Sequence, residues 1–164
     1  PEHSGRMVTL LPVPANSNKP DAHESGERSI ATSLSRAEKA VANLAQDYAT
    51  WALADVAKAR MALLAATDDP AGRAPHVEAL FRAGHDLKGQ GTSFGYPLVT
   101  KIGHSLCALT RDRARSYESR HLDLVKSHLD ALELILTKGI KGEGGKVGAE
   151  LVAKLESRVA ELLG

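Results

Sequence analysis

The sequence predicts an all-α protein, and three observations lead there. Ala (25) and Leu (22) far outnumber Ile and Val (14 together) in a chain of 164 residues, a balance that favours helices over sheets. Only six residues are aromatic. Apolar side chains recur at three- and four-residue intervals along most of the chain, the period of a helix with one buried face. Short connections between the central segments imply antiparallel neighbours. The expected architecture is therefore an antiparallel up-down four-helix bundle, with its core at about 51–138 and extra N-terminal and C-terminal helices.

The elements follow in order. Residues 1–28 hold four of the seven prolines among many polar residues and are expected to form a disordered arm; 29–164 are expected to form a single helical domain. No basic-led apolar core with a small-residue cleavage site is read in the arm. Ser35 and Glu38 have capping-box spacing, which predicts a first helix at about 35–48. A second is predicted at about 51–67, with Leu53, Ala57, Met61 and Leu64 on its buried stripe, ending in Asp68-Asp69-Pro70. A third begins after Gly72, admits Pro75 in its first turn, and keeps Val77, Leu80, Gly84, Leu87, Gly91 and Phe94 on one side. Gly95 breaks it, and Pro97 opens a fourth bearing Val99, Ile102, Leu106 and Leu109. The next is predicted at about 118–138, and a glycine-rich link at 139–148 leads to a last helix with Leu151, Val152, Leu155, Val159 and Leu162.

Charge and cysteine content exclude several function classes. With 21 basic and 20 acidic residues, the net charge of +1 lacks the footprint of a nucleic-acid binder. No apolar run approaches the ~20 residues that span a bilayer, so no membrane partner is expected. Cys107 stands alone, which excludes an internal disulfide and a thiolate-built zinc site and fits a reducing cytoplasm.

The unusual stretch is Gly84-His85-Asp86-Leu87-Lys88-Gly89-Gln90-Gly91-Thr92-Ser93-Phe94-Gly95. Each glycine inside a helix costs roughly 1 kcal/mol relative to Ala, so something other than helix stability must favour them. On a helical wheel His85 lies ~130° from the apolar stripe and should face solvent. Gly89 is its neighbour one turn on, where the missing side chain admits a partner surface. Lys88, at i+3, can place an ammonium beside anything attached to the ring. Gly91 falls on the buried stripe, where it permits close helix packing. Neutral imidazole is a nucleophile at physiological pH, and phosphoryl transfer asks chiefly for in-line approach and charge stabilisation. An exposed imidazole beside a gap and a cation suits that chemistry.

His85, Lys88, Gly89 and Gly95 also match the H-x-x-K-G-x-x-x-x-x-G pattern, and residues 85–107 resemble the histidine-containing phosphotransfer (HPt) family. The layout at about 51–138 is similar, whereas the arm, first helix and last helix lie outside the resemblance. The resemblance implies that His85 accepts a phosphoryl group from a receiver-domain aspartyl phosphate and passes it to another receiver aspartate. It further implies that Lys88 stabilises the phosphate, Gly89 allows receiver approach and Gly95 shapes the turn. Gln90 stands where the family often has a small residue, and either hydrogen-bonds the phosphate or restricts docking. The receiver is expected to dock over Gly89, Gln90, Thr92, Ser93 and Gly95, with Tyr96 at the rim. The expected partners are response-regulator receivers, a hybrid histidine kinase or both, acting on a monomer. No cofactor or metal site is expected in this chain, because the family's Mg²⁺ sits on the receiver. A carrier without its own ATP-binding kinase domain would have to be charged by another protein.

Two rivals have different consequences: a dimerisation and phosphoacceptor fragment of a histidine kinase would be a dimer, and a non-catalytic helical adaptor would tolerate loss of His85 and Lys88. Elsewhere the plainer readings prevail. Asp86 is ~100° from His85 around the helix and makes a poor base for it. His104 and Cys107 supply too few ligands for a metal. His76, His121 and His128 are expected at the surface, Phe94 in the core, and Arg111, Arg113, Arg115 and Arg120 on a solvated turn. The run 142–146 only superficially resembles a phosphate loop, since Val147 replaces Ser or Thr.

Overall fold

A computed structural model describes residues 22–164. Their helices are α1 (Ala22–Asp68), α2 (Arg73–Gln90), α3 (Pro97–Thr110), α4 (Ser119–Lys138) and α5 (Gly145–Leu163), with 3-10 turns at Pro70–Gly72 and Thr92–Phe94. No strand occurs among the described residues, so the fold class is all-α. By its contacts the chain divides into two units, Pro1–Ala40 and Val41–Gly164.

The described part of the first unit is the start of α1. Residues 22–28, expected in the arm, are helical; residues 1–21 of that expectation lie outside the described part. Glu24 sits in the first turn, where a carboxylate complements the helix dipole, and His23 faces Glu27 at 3.4 Å across one turn. Ile30 and Leu34 are exposed.

In the second unit α1 continues without the expected break near 48–51. Gln46-Asp47-Tyr48-Ala49-Thr50-Trp51 contains no glycine or proline, and the Thr50 hydroxyl bonds back to the Gln46 carbonyl inside the helix. The buried stripe also differs from the expected one. Ala45, Tyr48, Ala52, Val56, Ala59 and Ala66 face the core, whereas Met61 is 67% exposed and Leu64 is exposed too. Apolar size misdirects here, because small alanines line the inner face. Arg60 locks α1 to α4 through ion pairs with Asp130 (2.8 Å) and Glu133.

Pro70 opens the 3-10 turn and Asp69 caps it, its side chain accepting from the Gly72 N–H. Helix α3 is central and packs on α2, α4 and α5. Most of its residues are buried, including Leu98, Val99, Ile102, Leu106 and Leu109. Where α2 crosses α3, glycines meet: a Cβ on Gly103 would lie 2.9 Å from the Gly84 carbonyl oxygen and 2.9 Å from the Lys88 nitrogen.

His121 and His128, expected at the surface, are both buried. His121 completes a reciprocal cap on α4, its Nδ1 accepting from the Glu118 N–H at 3.0 Å. His128 is fully enclosed between the Leu124 carbonyl (2.7 Å from Nδ1) and the Ser105 hydroxyl (2.8 Å from Nε2). The carbonyl can only accept, so Nδ1 carries the proton and Nε2 accepts from Ser105. Burial lowers both imidazole pKa values, aided at His121 by the charges of Arg120 and Arg115.

Candidate functional site

Helix α2 buries Val77, Leu80, Gly84 and Leu87 against the core. That phase turns His85 outward, and its side chain is 67% exposed. One turn earlier, Phe81 packs beside the imidazole, with ring centroids 6.3 Å apart at 36°. One turn later, a Cβ at Gly89 would meet nothing within 4 Å. The imidazole therefore stands between an aromatic wall and an open notch. Asp86 Oδ1 lies 3.9 Å from His85 Nδ1, beyond hydrogen-bonding reach, and both side chains are exposed.

Lys88 is half-buried on the same turn, and the tight crossing with Gly103 fixes its backbone. Sequence reasoning missed Gly103 and Phe81. The signals were a glycine inside the most apolar helix and an aromatic four residues before His85.

Beyond α2 the chain turns sharply. Gln90, Thr92 and Ser93 are exposed. Thr92 is nevertheless engaged: its N–H donates to Thr100 Oγ1 at 2.8 Å and the two hydroxyls pair at 2.8 Å. Gly91 is packed, since a Cβ there would lie 2.7 Å from Thr100 Oγ1 and 2.8 Å from the Tyr96 carbonyl oxygen. Gly95 has φ +89, a left-handed conformation that side-chain-bearing residues rarely adopt. Its carbonyl accepts from the Gly142 N–H at 3.0 Å, tying the turn to the α4–α5 link.

Tyr96 corrects the expected docking rim. It is 2% exposed, because Gly95 turns the chain inward and the Tyr96 N–H bonds the Gly91 carbonyl at 2.8 Å. Its ring lies 5.9 Å from that of Tyr48, which stacks on Phe94 at 4.8 Å and 7°. Phe94 thus packs half-buried against the core, as its spacing predicted. Burial, with Asp55 and Tyr96 nearby, pushes the Tyr48 hydroxyl up to about 12.

The structure brings His85, Lys88 and Gly89 together on one turn, followed by Gln90, Thr92 and Ser93 at the exposed end of α2. No group of three or more His, Cys, Asp or Glu converges on a metal-sized site among the described residues. His104 is exposed while Cys107 is buried, and burial raises the Cys107 thiol pKa. Such an arrangement presents an exposed imidazole, a lysine and an open glycine position along one turn of helix.

Comparison with curated proteins and with solved structures gave no match. A family model described as Hpt domain matches residues 33–134. The match takes in the segment of α1 at 35–48 that had been placed outside the resemblance, and ends within α4, so α5 lies beyond it. With well over half of its length matched, and with an exposed histidine backed by Lys88 and Gly89, the chain belongs to the Hpt domain family, the phosphotransfer domains of two-component signalling.

Proposed function

We propose that the protein is a phosphorelay carrier in which His85 accepts a phosphoryl group from the aspartyl phosphate of one receiver domain and passes it to the aspartate of another. The observation that carries this reading is the exposed imidazole one turn before an open glycine position. In the forward step an imidazole nitrogen attacks phosphorus, an N–P bond forms, and the acyl O–P bond breaks with its electron pair returning to the carboxylate. The proton on the other ring nitrogen is free to leave to solvent. Lys88 offsets the phosphate charge in this reading, and the notch at Gly89 lets the receiver close over the ring. Gln90, Ser93 and the turn ending at Gly95 form the floor under the receiver. The donor's Mg²⁺ travels with the receiver. The carrier is placed in the cytoplasm, where receivers and any hybrid kinase would meet it, a setting compatible with a single buried, unpaired Cys107.

Incubation with receivers carrying labelled phosphate tests this directly. The wild-type chain should gain acid-labile label and the His85→Gln variant none; label retained by that variant would remove His85 from the role. The carrier is proposed to act as a monomer. Exposed Val41, Leu44 and Trp51 on α1 favour a second reading, the dimerisation and phosphoacceptor segment of a histidine kinase. Sedimentation equilibrium separates the two, since one chain mass agrees with the carrier and two with the kinase segment.

A further inference from the structure

A cavity of about 550 Å³ lies between the start of α2, the end of α3 and the α3–α4 connection, and Phe81, which packs beside His85, forms part of its wall. Arg73, Arg111, Arg113 and Arg115 line it against one carboxylate, Glu78. Glu78 is shared between Arg82 (2.8 Å) and Arg113 (3.3 Å). Arg73 is committed to the walls, donating to the carbonyls of Ala66 and Tyr117, both at 2.7 Å. Arg115 is different: its Nε is enclosed and has no hydrogen-bond partner. The enclosed Nε is out of a ligand's reach, so a ligand oxygen would meet the terminal guanidinium nitrogens of this half-buried side chain. The first turn of α2 also contributes to the lining, and Gly72 offers it no side-chain cap. The positive dipole end of α2 adds to the arginine field.

We propose that this cavity binds a small phosphate-bearing ligand of nucleotide size. Arginine forks match phosphate oxygens in charge and geometry better than lysine or a backbone amide alone. The remaining wall is apolar, formed by Val77, Phe81 and Tyr117 together with Pro70 and Pro75, and accepts a flat or hydrophobic group attached to the phosphate. The volume falls within the ~300–1,000 Å³ common for small-ligand sites. Arg111 and Arg113 are exposed, as expected of a solvated turn, yet they line the same concavity as the half-buried Arg115.

Titration calorimetry of the full chain with pyrophosphate and, separately, with ATP tests the site without using phosphotransfer. Saturable one-to-one binding is expected for both probes, tighter for ATP because only it reaches the apolar wall. Arg111→Ala and Arg115→Lys should each weaken binding about tenfold or more, the second because it keeps charge but loses the enclosed fork. Arg158→Ala, on α5, and His85→Gln should bind as wild type, the latter keeping this result independent of the transfer reading. Absence of saturation for both probes would overturn the proposal. So would equal binding by the wild-type, Arg111→Ala and Arg115→Lys proteins when thermal melts show all three folded. Binding by pyrophosphate but not ATP would also overturn it, since the nucleotide-sized occupant would be excluded.

Discussion

At Gly89 the missing methyl group acts on stability and on function in opposite directions. The position is within α2, is exposed, and leaves open space where a Cβ would go. Replacing it with alanine should therefore stabilise the helix by about 0.5–1 kcal/mol, through propensity alone. The same space is the clearance proposed for the receiver beside His85. Gly89→Ala is expected to raise the urea midpoint while slowing phosphoryl transfer from a labelled receiver, and Gly89→Leu to slow it further with no loss of fold. Equal or faster transfer by the leucine variant would mean that nothing docks across this turn. His85 and Gly89 were legible because helical phase fixes exposure from sequence alone. Tyr96 was not, because its burial depends on Gly95 reversing the chain and on Tyr48, far away in sequence, lying near it.

Between elements, the α2–α3 crossing is where the fold bears most directly on the site. A Cβ on Gly103 would strike Gly84 and Lys88 backbone atoms, which cannot rotate away as a side chain would. Helix propensity favours alanine by roughly 1 kcal/mol, but overpacking between helices costs typically ~1–3 kcal/mol, so the steric term should win. Gly103→Ala is expected to lower the unfolding midpoint and to slow transfer, because the turn carrying Lys88 must move outward. A variant as stable and as fast as wild type would show that the crossing has slack. The starts of α2 and α3 and the end of α4 were readable from Gly72, Pro97 and Gly139, whereas α2 stops at Gln90 and a 3-10 turn fills the stretch up to the break expected at Gly95. The continuity of α1 and its inner face were not. Alanine carries little hydrophobic signal, yet Ala45, Ala52, Ala59 and Ala66 form the packed stripe because small residues let helices approach closely.

Across the whole molecule, the buried histidines couple folding to pH. Burial lowers the pKa of His128 and, with Arg120 and Arg115, that of His121. A histidine whose folded pKa lies below its unfolded value of ~6.5 binds protons more readily when unfolded, so its contribution to stability is complete above about pH 6.5 and falls as pH drops through that value. The Leu124 carbonyl at His128 and the Glu118 carboxylate at His121 oppose this without reversing it, whereas one backbone donor reinforces it. Glu118 donates its N–H to His121 Nδ1, and a proton on that nitrogen would set donor against donor. Asp130, held down by Lys126 and Arg60, responds in a separate range: its contribution is present above the ordinary carboxylate pKa of ~3.9 and is lost as pH falls below it, and it is small because the group is about half exposed. Urea midpoints are therefore expected to fall between about pH 7.5 and about pH 5, a window dominated by imidazole rather than carboxylate titration. In the His121→Gln/His128→Gln protein the midpoint at the upper pH should be lower, since buried hydrogen bonds worth about 1–3 kcal/mol each when broken are disturbed, but its slope across the window should flatten. An undiminished slope in the double variant would assign the pH response to groups other than these two histidines.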